Sequence, residues 1–226
     1  MTTTPKPLLA FNGQGIPAAL RASKRWAPWK AVWSDKRGKY DKIPVRADQP
    51  EYNLSTANPA RWFPFNEALA AHNAAQGMTA GVGYVMTKPH GVVGVDLDGC
   101  LDNEGRPEPW AQEIIDMLCG YVERSPSGNG LRIFVRGAIA GDWVNHTVGV
   151  ECYAGHKPRF LTVTGRRLPD SPEDVPQAPE GALDWLAEKY QDKSPPKAGG
   201  DTAPVPLLLT DDEIPAVHDL GLPRFA

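Results

Sequence analysis

Apolar residues recur along the chain in short alternating or continuous runs, and such runs predict β-strands. They cover residues 81–86, 92–99, 121–124, 131–136, 147–153 and 159–164, with a proline-containing edge strand at 42–45. Amphipathic spacing predicts helices over 107–119 and 183–190, and Asn58-Pro59 predicts the start of a helix that ends near Gly77. Strands separated by short turns, with helices interspersed, indicate an α+β fold built on antiparallel sheets.

Turn-forming residues between these runs predict which strands are neighbours. Residues 87–91 are expected to join the strands at 81–86 and 92–99 as a hairpin, and residues 154–158 to join those at 147–153 and 159–164. Residues 125–130 predict a turn between the strands at 121–124 and 131–136, and residues 35–40 predict a further hairpin turn.

The composition is that of an ordinary globular protein. Of the 226 residues, 41% are hydrophobic and 23% are charged. No apolar run approaches the ~18 residues of a membrane-spanning helix, and the first 15 residues lack the pattern of a secretory signal. We therefore expect a cytoplasmic protein without a membrane partner. The three cysteines have no C-x-x-C spacing, which argues against a disulfide framework and a structural zinc site.

Changes in composition divide the chain into three parts. Residues 1–17 are polar and contain proline and glycine, so we expect a flexible N-terminus. Residues 18–192 contain the predicted strands and helices and form the expected folded domain. Residues 193–226 begin with a Pro/Gly/Ala-rich stretch, which is typical of a linker or tail leading to a further domain of a longer protein.

The net charge of −3 hides a basic segment, because residues 20–46 contain nine Lys or Arg and two Asp. Trp26, Trp29 and Trp33 alternate with these bases. Either an aromatic ring stacks on a nucleic-acid base while the bases bind phosphates, or the tryptophans belong to the core. We favour the core for most of the tryptophans. The candidate nucleic-acid-binding bases are Arg21, Lys24, Arg25, Lys30 and Lys42.

The run at 92–99 ends in two carboxylates, Asp96 and Asp98. Because side chains alternate along a strand, both carboxylates project from the same face. A hard divalent cation such as Mg²⁺ or Mn²⁺ would relieve their repulsion. A solvated acidic pair at a strand end would give the same pattern.

Later segments carry groups suited to a nucleotide held by such ions. The Gly- and Ser-rich turn at 125–130 lets backbone N–H groups approach phosphates, although ordinary hairpin turns have the same composition. Glu151 lies in an apolar strand, where an unpaired carboxylate is costly, so it would complete the acidic site. This set describes metal-assisted nucleotidyl transfer. The candidate nucleotide-binding residues are Ser127, Gly128, Asn129, Gly130, Arg132, Lys157 and Arg159.

The order of these motifs resembles the primase-polymerase domains of the archaeo-eukaryotic primase superfamily, above all those of phage and plasmid replication proteins. The resemblance runs from about residue 26 to residue 190 and includes the Lys-x-Pro at 42–44, the Asn-Pro-x-x-Trp at 58–62 and the Arg-Phe-Leu-Thr-Val-Thr-Gly at 159–165. It implies that Asp96, Asp98 and Glu151 are the catalytic ligands of Mg²⁺ or Mn²⁺. It also implies an N-terminal α/β module packed on an RNA-recognition-motif-like antiparallel sheet.

For function, the resemblance implies primer synthesis or extension on a single-stranded DNA template, with dNTPs or NTPs, in phage or plasmid replication in a bacterial host's cytoplasm or nucleoid. A helicase, in the same polypeptide or in trans, is an expected partner. Many members of the family carry a histidine where this chain has Arg132. Arginine can bind phosphate, but it does not lose its proton near neutral pH.

Two other functions stay open. The Asp-Leu-Asp-Gly at 96–99 also resembles the nucleophile motif of haloacid-dehalogenase-type phosphatases, with Asp96 as nucleophile, and residues 207–212 mimic a later acidic motif of that family. However, the parallel strand–helix alternation of that fold is not predicted. A non-catalytic nucleic-acid-binding module would use the basic segment, but it would leave Glu151 without a purpose.

Overall fold

Two antiparallel sheets organise residues 5–192, the part of the chain that the computed structural model describes. The strands are β1 (Trp26–Ser34), β2 (Lys39–Pro44), β3 (Gly81–Val85), β4 (Val92–Leu97), β5 (Tyr121–Arg124), β6 (Leu131–Arg136), β7 (Trp143–Asn145), β8 (Val150–Tyr153) and β9 (Phe160–Val163). The four-stranded sheet has the order β2-β1-β3-β9, and the five-stranded sheet has the order β5-β6-β4-β8-β7. The predicted α+β class with antiparallel sheets is confirmed.

The five-stranded sheet is covered on both faces. Helices are α1 (Ala18–Arg21), α2 (Phe65–Ala74), α3 (Pro109–Leu118) and α4 (Ala182–Tyr190). On one face, Val95 and Leu97 of β4 pack in a buried cluster with Ile114 of α3 and Leu186 of α4. On the other face, Phe134 of β6 shares a second cluster with residues of the four-stranded sheet. Groups on this second face are therefore shielded from water unless they lie at its edge.

Two predicted hairpins are wrong. Strands β3 and β4 belong to different sheets, since β3 pairs with β1 and β9 while β4 pairs with β6 and β8. In the same way, β8 stays in the five-stranded sheet and β9 pairs with β3. The two crossing connections pack tightly together, because Gly155 has a φ of +93° and a Cβ there would collide with the Met86 carbonyl. Turn residues predict that the chain reverses, but they do not indicate which sheet it enters.

The helix predicted from Asn58 is interrupted. A 3-10 turn covers Pro59–Arg61, where the Asn58 side chain accepts a hydrogen bond from the Ala60 N–H at 3.0 Å. Helix α2 begins only after Pro64. A proline favours an extended conformation for the residue before it, which explains the break. No helix within residues 5–192 has the length and apolar character needed to cross a membrane.

The segment before α1, which the sequence analysis expected to be flexible, is hydrogen-bonded to both sheets in its described part. The Leu9 N–H donates to the Pro126 carbonyl and the Asn12 N–H to the Thr164 carbonyl, both at 2.8 Å. Ile16 is buried. This segment therefore ties the turn after β5 to the end of β9. The predicted linker or tail at 193–226 lies outside the described residues.

Candidate active site

A cavity of about 680 Å³ lies between the β1–β2 hairpin and the ends of β4 and β8. Asp96, Asp98 and Glu151 line it, as do Ser127 and Asn129 of the turn at 125–130. The hairpin and residues 6–8 complete the lining. The three predicted carboxylates and two residues of the predicted phosphate-binding turn therefore meet at one place.

Strand register sets a row of charged residues across the five-stranded sheet. Asp96 of β4 is paired with Glu151 of β8 on one side and with Arg132 of β6 on the other. Arg132 is in turn paired with Glu123 of β5. Residues directly opposite in an antiparallel pair share a face, so all four side chains project toward the four-stranded sheet. We call these four residues the charged row.

Arg132 lies inside the protein and has a relative exposure of 2%. Its Nε is 3.2 Å from Asp96 Oδ1, and its Nη2 is 3.4 Å from Asp96 Oδ2. Its Nη1 donates to the carbonyl and the hydroxyl of Thr162 on β9. Arg132 was predicted to bind phosphate, whereas its contacts in the structure are internal and it does not line the cavity.

Glu123 is fully buried at the far end of the charged row. Its carboxylate accepts the backbone N–H groups of Thr164 and Gly165, both at 2.8 Å, and the Tyr121 hydroxyl at 3.0 Å. Burial raises the pKa of Glu123 to about 7, although these donors and Arg132 oppose the shift. Glu123 thus anchors the row to the end of β9.

The other end of the charged row faces the cavity. The Tyr153 hydroxyl donates a hydrogen bond to Glu151, and burial followed by this carboxylate raises the pKa of Tyr153. Across the cavity, burial and then Arg132 lower the pKa of Lys42 to about 8, while Asp96 and Asp98 act in the opposite direction. The Lys42 ammonium is thus close enough to Asp96 and Asp98 to interact electrostatically with them.

The turn at 125–130 needs its glycines because of its backbone conformation and its close approach to β4. Gly128 adopts a φ of +77°, and a Cβ on Gly130 would lie only 2.6 Å from the Leu97 carbonyl oxygen. The hydroxyls of Ser125 and Ser127 are 3.0 Å apart. These contacts hold the turn against the end of β4, so that Ser127 and Asn129 face the cavity while Gly128 and Gly130 do not line it.

Lys157 and Arg159 do not line the cavity either. The Arg159 guanidinium lies over the Tyr153 ring at 5.0 Å, and the Lys157 N–H donates to Asp142 at 2.9 Å. Arg159 is thus next to the tyrosine that holds Glu151, one residue away from the cavity lining.

Four of the five predicted nucleic-acid-binding bases lie away from this cavity. Arg25 donates to the Val85 and Thr87 carbonyls, and the Lys30 ammonium is 3.4 Å from the Glu51 carbonyl. Arg21 lines a separate cavity of about 470 Å³, and Lys24 is exposed on the surface. Only Lys42 of this set faces the carboxylates.

Much of the basic and aromatic lining of the cavity was not among the predicted site residues. Lys6, Trp33, Lys39 and Tyr40 line the cavity, and only Trp33 was considered, mainly as a core residue. Trp26 and Trp29 do belong to the core. An available signal was the basic turn at 35–40 with an aromatic residue on each side.

Mg²⁺ and Mn²⁺ are hard cations that prefer oxygen ligands, and the three carboxylates supply such ligands. Within residues 5–192, no three His, Cys, Asp or Glu side chains are grouped closely enough to ligate one ion by themselves. However, Mg²⁺ is usually bound through one or two carboxylates together with substrate phosphates and water. Asp96 Oδ1 is a buried oxygen that accepts no hydrogen bond of good geometry and has only the Arg132 ion pair, and Asp96 is close to Asp98 in the sequence and beside Glu151 in the sheet. The carboxylates therefore fit a site that is completed by a phosphate-bearing substrate.

An α+β fold with two antiparallel sheets is compatible with a primase-polymerase. No protein-family model matches the chain. The chain is similar to the DNA primase-polymerase of Nitratiruptor phage NrS-1, with 30% identity over 186 residues, or 79% of this chain. It covers 24% of that relative, so it spans about a quarter of the relative's length. This similarity supports the resemblance to phage primase-polymerases and to nucleotidyltransferases in general.

Proposed function

We propose that the chain is a DNA primase-polymerase domain that performs template-directed, divalent-metal-dependent nucleotidyl transfer. One observation carries the proposal: the register that sets Asp96 beside Glu151 also directs both, with Asp98, into a cavity shared with Ser127 and Lys42. The similarity to a phage DNA primase-polymerase supports the same function.

In this proposal, Asp96, Asp98 and Glu151 hold Mg²⁺ or Mn²⁺ together with the substrate's phosphates. The bound ions would activate the attacking hydroxyl and stabilise the leaving pyrophosphate. Ser127 and Asn129 orient the phosphates, and Lys42 balances their charge. Because Arg132 is buried against Asp96, we assign it the task of positioning that carboxylate, in place of the phosphate contact expected from the sequence.

The proposed substrates are a single-stranded DNA template with its primer and dNTPs, NTPs or both. The proposed setting is phage or plasmid DNA replication in the cytoplasm of a bacterial host. A helicase, in the same polypeptide or in trans, is the proposed partner, as the resemblance to replication primase-polymerases implies.

The test is incorporation of labelled nucleotides on a primed single-stranded template with Mg²⁺ or Mn²⁺. The double variant Asp96→Asn/Asp98→Asn should lose at least about 100-fold of the wild-type rate, since it loses two anionic ligands. Asp116→Asn on α3, outside the cavity lining, is the control and should keep the rate. Equal incorporation by the double variant and the wild type, or none by folded wild type with either metal, would contradict the proposal.

The phosphatase alternative loses support from the sheet topology. Each pairing between named strands in residues 5–192 is antiparallel, whereas that fold needs parallel strands joined by helices. Its expected later acidic motif, at 207–212, lies outside the described residues. A phospho-aspartyl intermediate trapped by beryllium fluoride at Asp96 would restore this alternative. Nucleic-acid binding without incorporation would favour the non-catalytic module.

A further inference from the structure

The outer wall of the cavity carries an aromatic pair that the proposed chemistry does not use. Trp33 of β1 and Tyr40 of β2 are directly opposite each other in the hairpin. Their ring centroids are 5.1 Å apart, in an edge-to-face arrangement of 71°. Both residues line the cavity, and both are half-buried. Their aromatic surface therefore faces a space large enough for a ligand.

Core packing does not explain the position of Trp33. Trp29 lies four residues earlier on the same face of β1 and is 2% exposed, as expected for a core residue. Trp33 lies beyond the core, at the part of the strand where the hairpin projects over the cavity. The opposite face of the strand carries Val32, which is 42% exposed. The larger, flatter side chain is thus on the cavity side.

The orientation of the indole ring is fixed within the hairpin. The Trp33 Nε1–H donates to Asp35 Oδ1 at 2.9 Å, so the polar atom of the ring is already paired. Tyr40 packs edge-to-face against the same ring. A ring held in this way loses little conformational freedom when a flat ligand stacks on it.

Charge along the same wall narrows the class of ligand. Lys42 shares a face of β2 with Tyr40, whereas Lys39, at the start of the strand, alternates to the opposite face; both lysines line the cavity, and Arg37 is paired with Asp41. Lys42 is two residues from Tyr40, or ~7 Å along a strand. A ligand that contacts both the aromatic rings and the lysine ammonium groups needs a flat ring and a negative charge separated by about the length of one sugar. This combination describes a nucleotide better than a free phosphate or a neutral aromatic compound.

We propose that Trp33 and Tyr40 form a platform on which a nucleobase stacks, with Lys39 and Lys42 holding its phosphate. The proposal deepens the function proposed above and rests on it. The base can come from an incoming nucleotide or from a single-stranded template, because both present a ring next to a phosphate. Stacking on an aromatic side chain is tolerant of base identity, so the platform adds affinity without sequence preference.

The test measures binding of two probes in Mg²⁺ buffer by the full 226-residue chain. The probes are dTTP, followed by calorimetry, and a fluorescein-labelled oligo-dT, followed by anisotropy. Trp33→Ala should weaken binding of at least one probe by about 5- to 100-fold, while Trp33→Phe keeps most of the wild-type affinity. Val32→Ala, on the opposite face of the same strand, is the matched control and should bind as the wild type does.

The results show which molecule supplies the base, and they also decide whether the platform exists. A selective loss of dTTP binding identifies the incoming nucleotide, and a selective loss of oligo-dT binding identifies the template. Unchanged binding of both probes by folded Trp33→Ala, or no binding by the wild type, overturns the platform. An equal loss in Trp33→Phe also overturns it, because the ring face is retained. If Trp33→Ala does not fold, the test uses Trp33→Leu instead, because leucine keeps an apolar side chain without an aromatic ring.

Nucleotide incorporation by the same samples distinguishes failure of the platform from failure of the proposed function. If the wild type incorporates nucleotides and Trp33→Ala binds both probes as the wild type does, the proposed function stands and the platform is refuted. Loss of probe binding by Trp33→Ala, without any incorporation by the wild type, leaves a nucleobase-binding platform in a protein that is not a polymerase under these conditions.

Discussion

One wall of the cavity is formed by β4 and β8, which have strands on both sides, and the other by the β1–β2 hairpin, in which β2 is an edge strand. Two carboxylates on the first wall, Asp96 and Glu151, are paired with buried groups. Arg132 pairs with Asp96, and the Tyr153 hydroxyl binds Glu151. On the second wall, Lys39 is exposed and faces the cavity.

This difference indicates a division of labour between the two walls. Groups that must keep an accurate geometry lie on central strands and depend on buried partners. Groups proposed to attract a large, variable ligand lie on a hairpin at the edge of the four-stranded sheet. Substitutions in the charged row should therefore affect stability and activity together, whereas substitutions in the hairpin should affect binding alone.

The largest expected effect comes from Arg132. Arg132→Met removes the partner of a half-buried carboxylate and should lower the free energy of unfolding by about 3–5 kcal/mol. Lys39→Met, the matched change on the hairpin, should alter it by less than about 0.5 kcal/mol. Chemical denaturation followed by circular dichroism measures both. Adding Asp96→Leu to Arg132→Met should recover part of the loss, and similar losses in both single variants would refute the contrast between the walls.

A pH-dependent effect of about 3 kcal/mol is expected from Glu123. Its pKa is raised to about 7 from the ordinary 4.5, so the folded protein binds its proton more tightly than the unfolded chain does. The stability that this proton contributes is complete below pH 4.5 and is lost as the pH rises through 7. Glu123→Gln should remove this component from the pH dependence of the unfolding free energy.

Glu188→Gln, an exposed carboxylate on α4, is the control for Glu123 and should keep the wild-type pH profile. The backbone N–H donors to Glu123 make Glu123→Gln less stable overall, because one acceptor oxygen becomes an amide donor. The shape of the pH profile is therefore the decisive measurement. A profile that stays parallel to that of the wild type would show that Glu123 does not titrate in this range.

A smaller effect compares two tyrosines. Tyr153→Phe removes the hydroxyl that holds Glu151 and should cost about 1–2 kcal/mol of stability, with about a tenfold lower rate of incorporation. Tyr40→Phe on the hairpin keeps its ring and should leave stability within about 0.5 kcal/mol of the wild type. Denaturation and incorporation assays on both variants give the comparison. Equal rates for the two variants would mean that Glu151 does not need Tyr153.

The smallest expected effect is a change in the salt dependence of oligo-dT binding. Lys39→Ala should leave the fold intact and reduce the slope of log affinity against log salt for oligo-dT by about 0.7, the value for one contact with a single-strand phosphate. Lys36→Ala, on the same turn but outside the cavity lining, should leave that slope unchanged. Anisotropy titrations at several salt concentrations measure both. An unchanged slope for Lys39→Ala would mean that Lys39 does not contact phosphate.

Much of the acidic wall could be predicted from local alternation. Asp96 and Asp98 are two residues apart, and Glu151 interrupts an apolar strand, so each carboxylate could be recognised from its own segment of the sequence. The contact between Asp96 and Glu151 could not be predicted in the same way. It depends on the register of two strands separated by more than 50 residues, and that register follows from the packing of the whole sheet.

Some residues lie at positions that differ from the expectation, and these differences have the same physical cause. Arg132 is next to a glycine-rich turn, which suggested a phosphate contact, but the face that carries it is covered by β9 from the other sheet. Lys6 and Trp33 line the cavity because distant segments pack beside them, and their own neighbours in the sequence do not indicate this. Lys157, Arg159 and the carboxylates' role as metal ligands stay predictions.

The hydrogen bonds of the N-terminal segment also bear on the order of folding. Asn12 contacts Thr164 and Gly165, and Arg166 binds the Ala10 carbonyl, so these partners are more than 150 residues apart. During synthesis, residues 6–8 emerge well before the segments that anchor their neighbours, which are the Pro126 carbonyl after β5 and the end of β9. Closing so long a loop is entropically unfavourable until the rest of the core supports it. We therefore expect the cavity to be completed late, after both sheets exist, so that the nucleotide binding proposed for this site would not be open to a nascent chain before then.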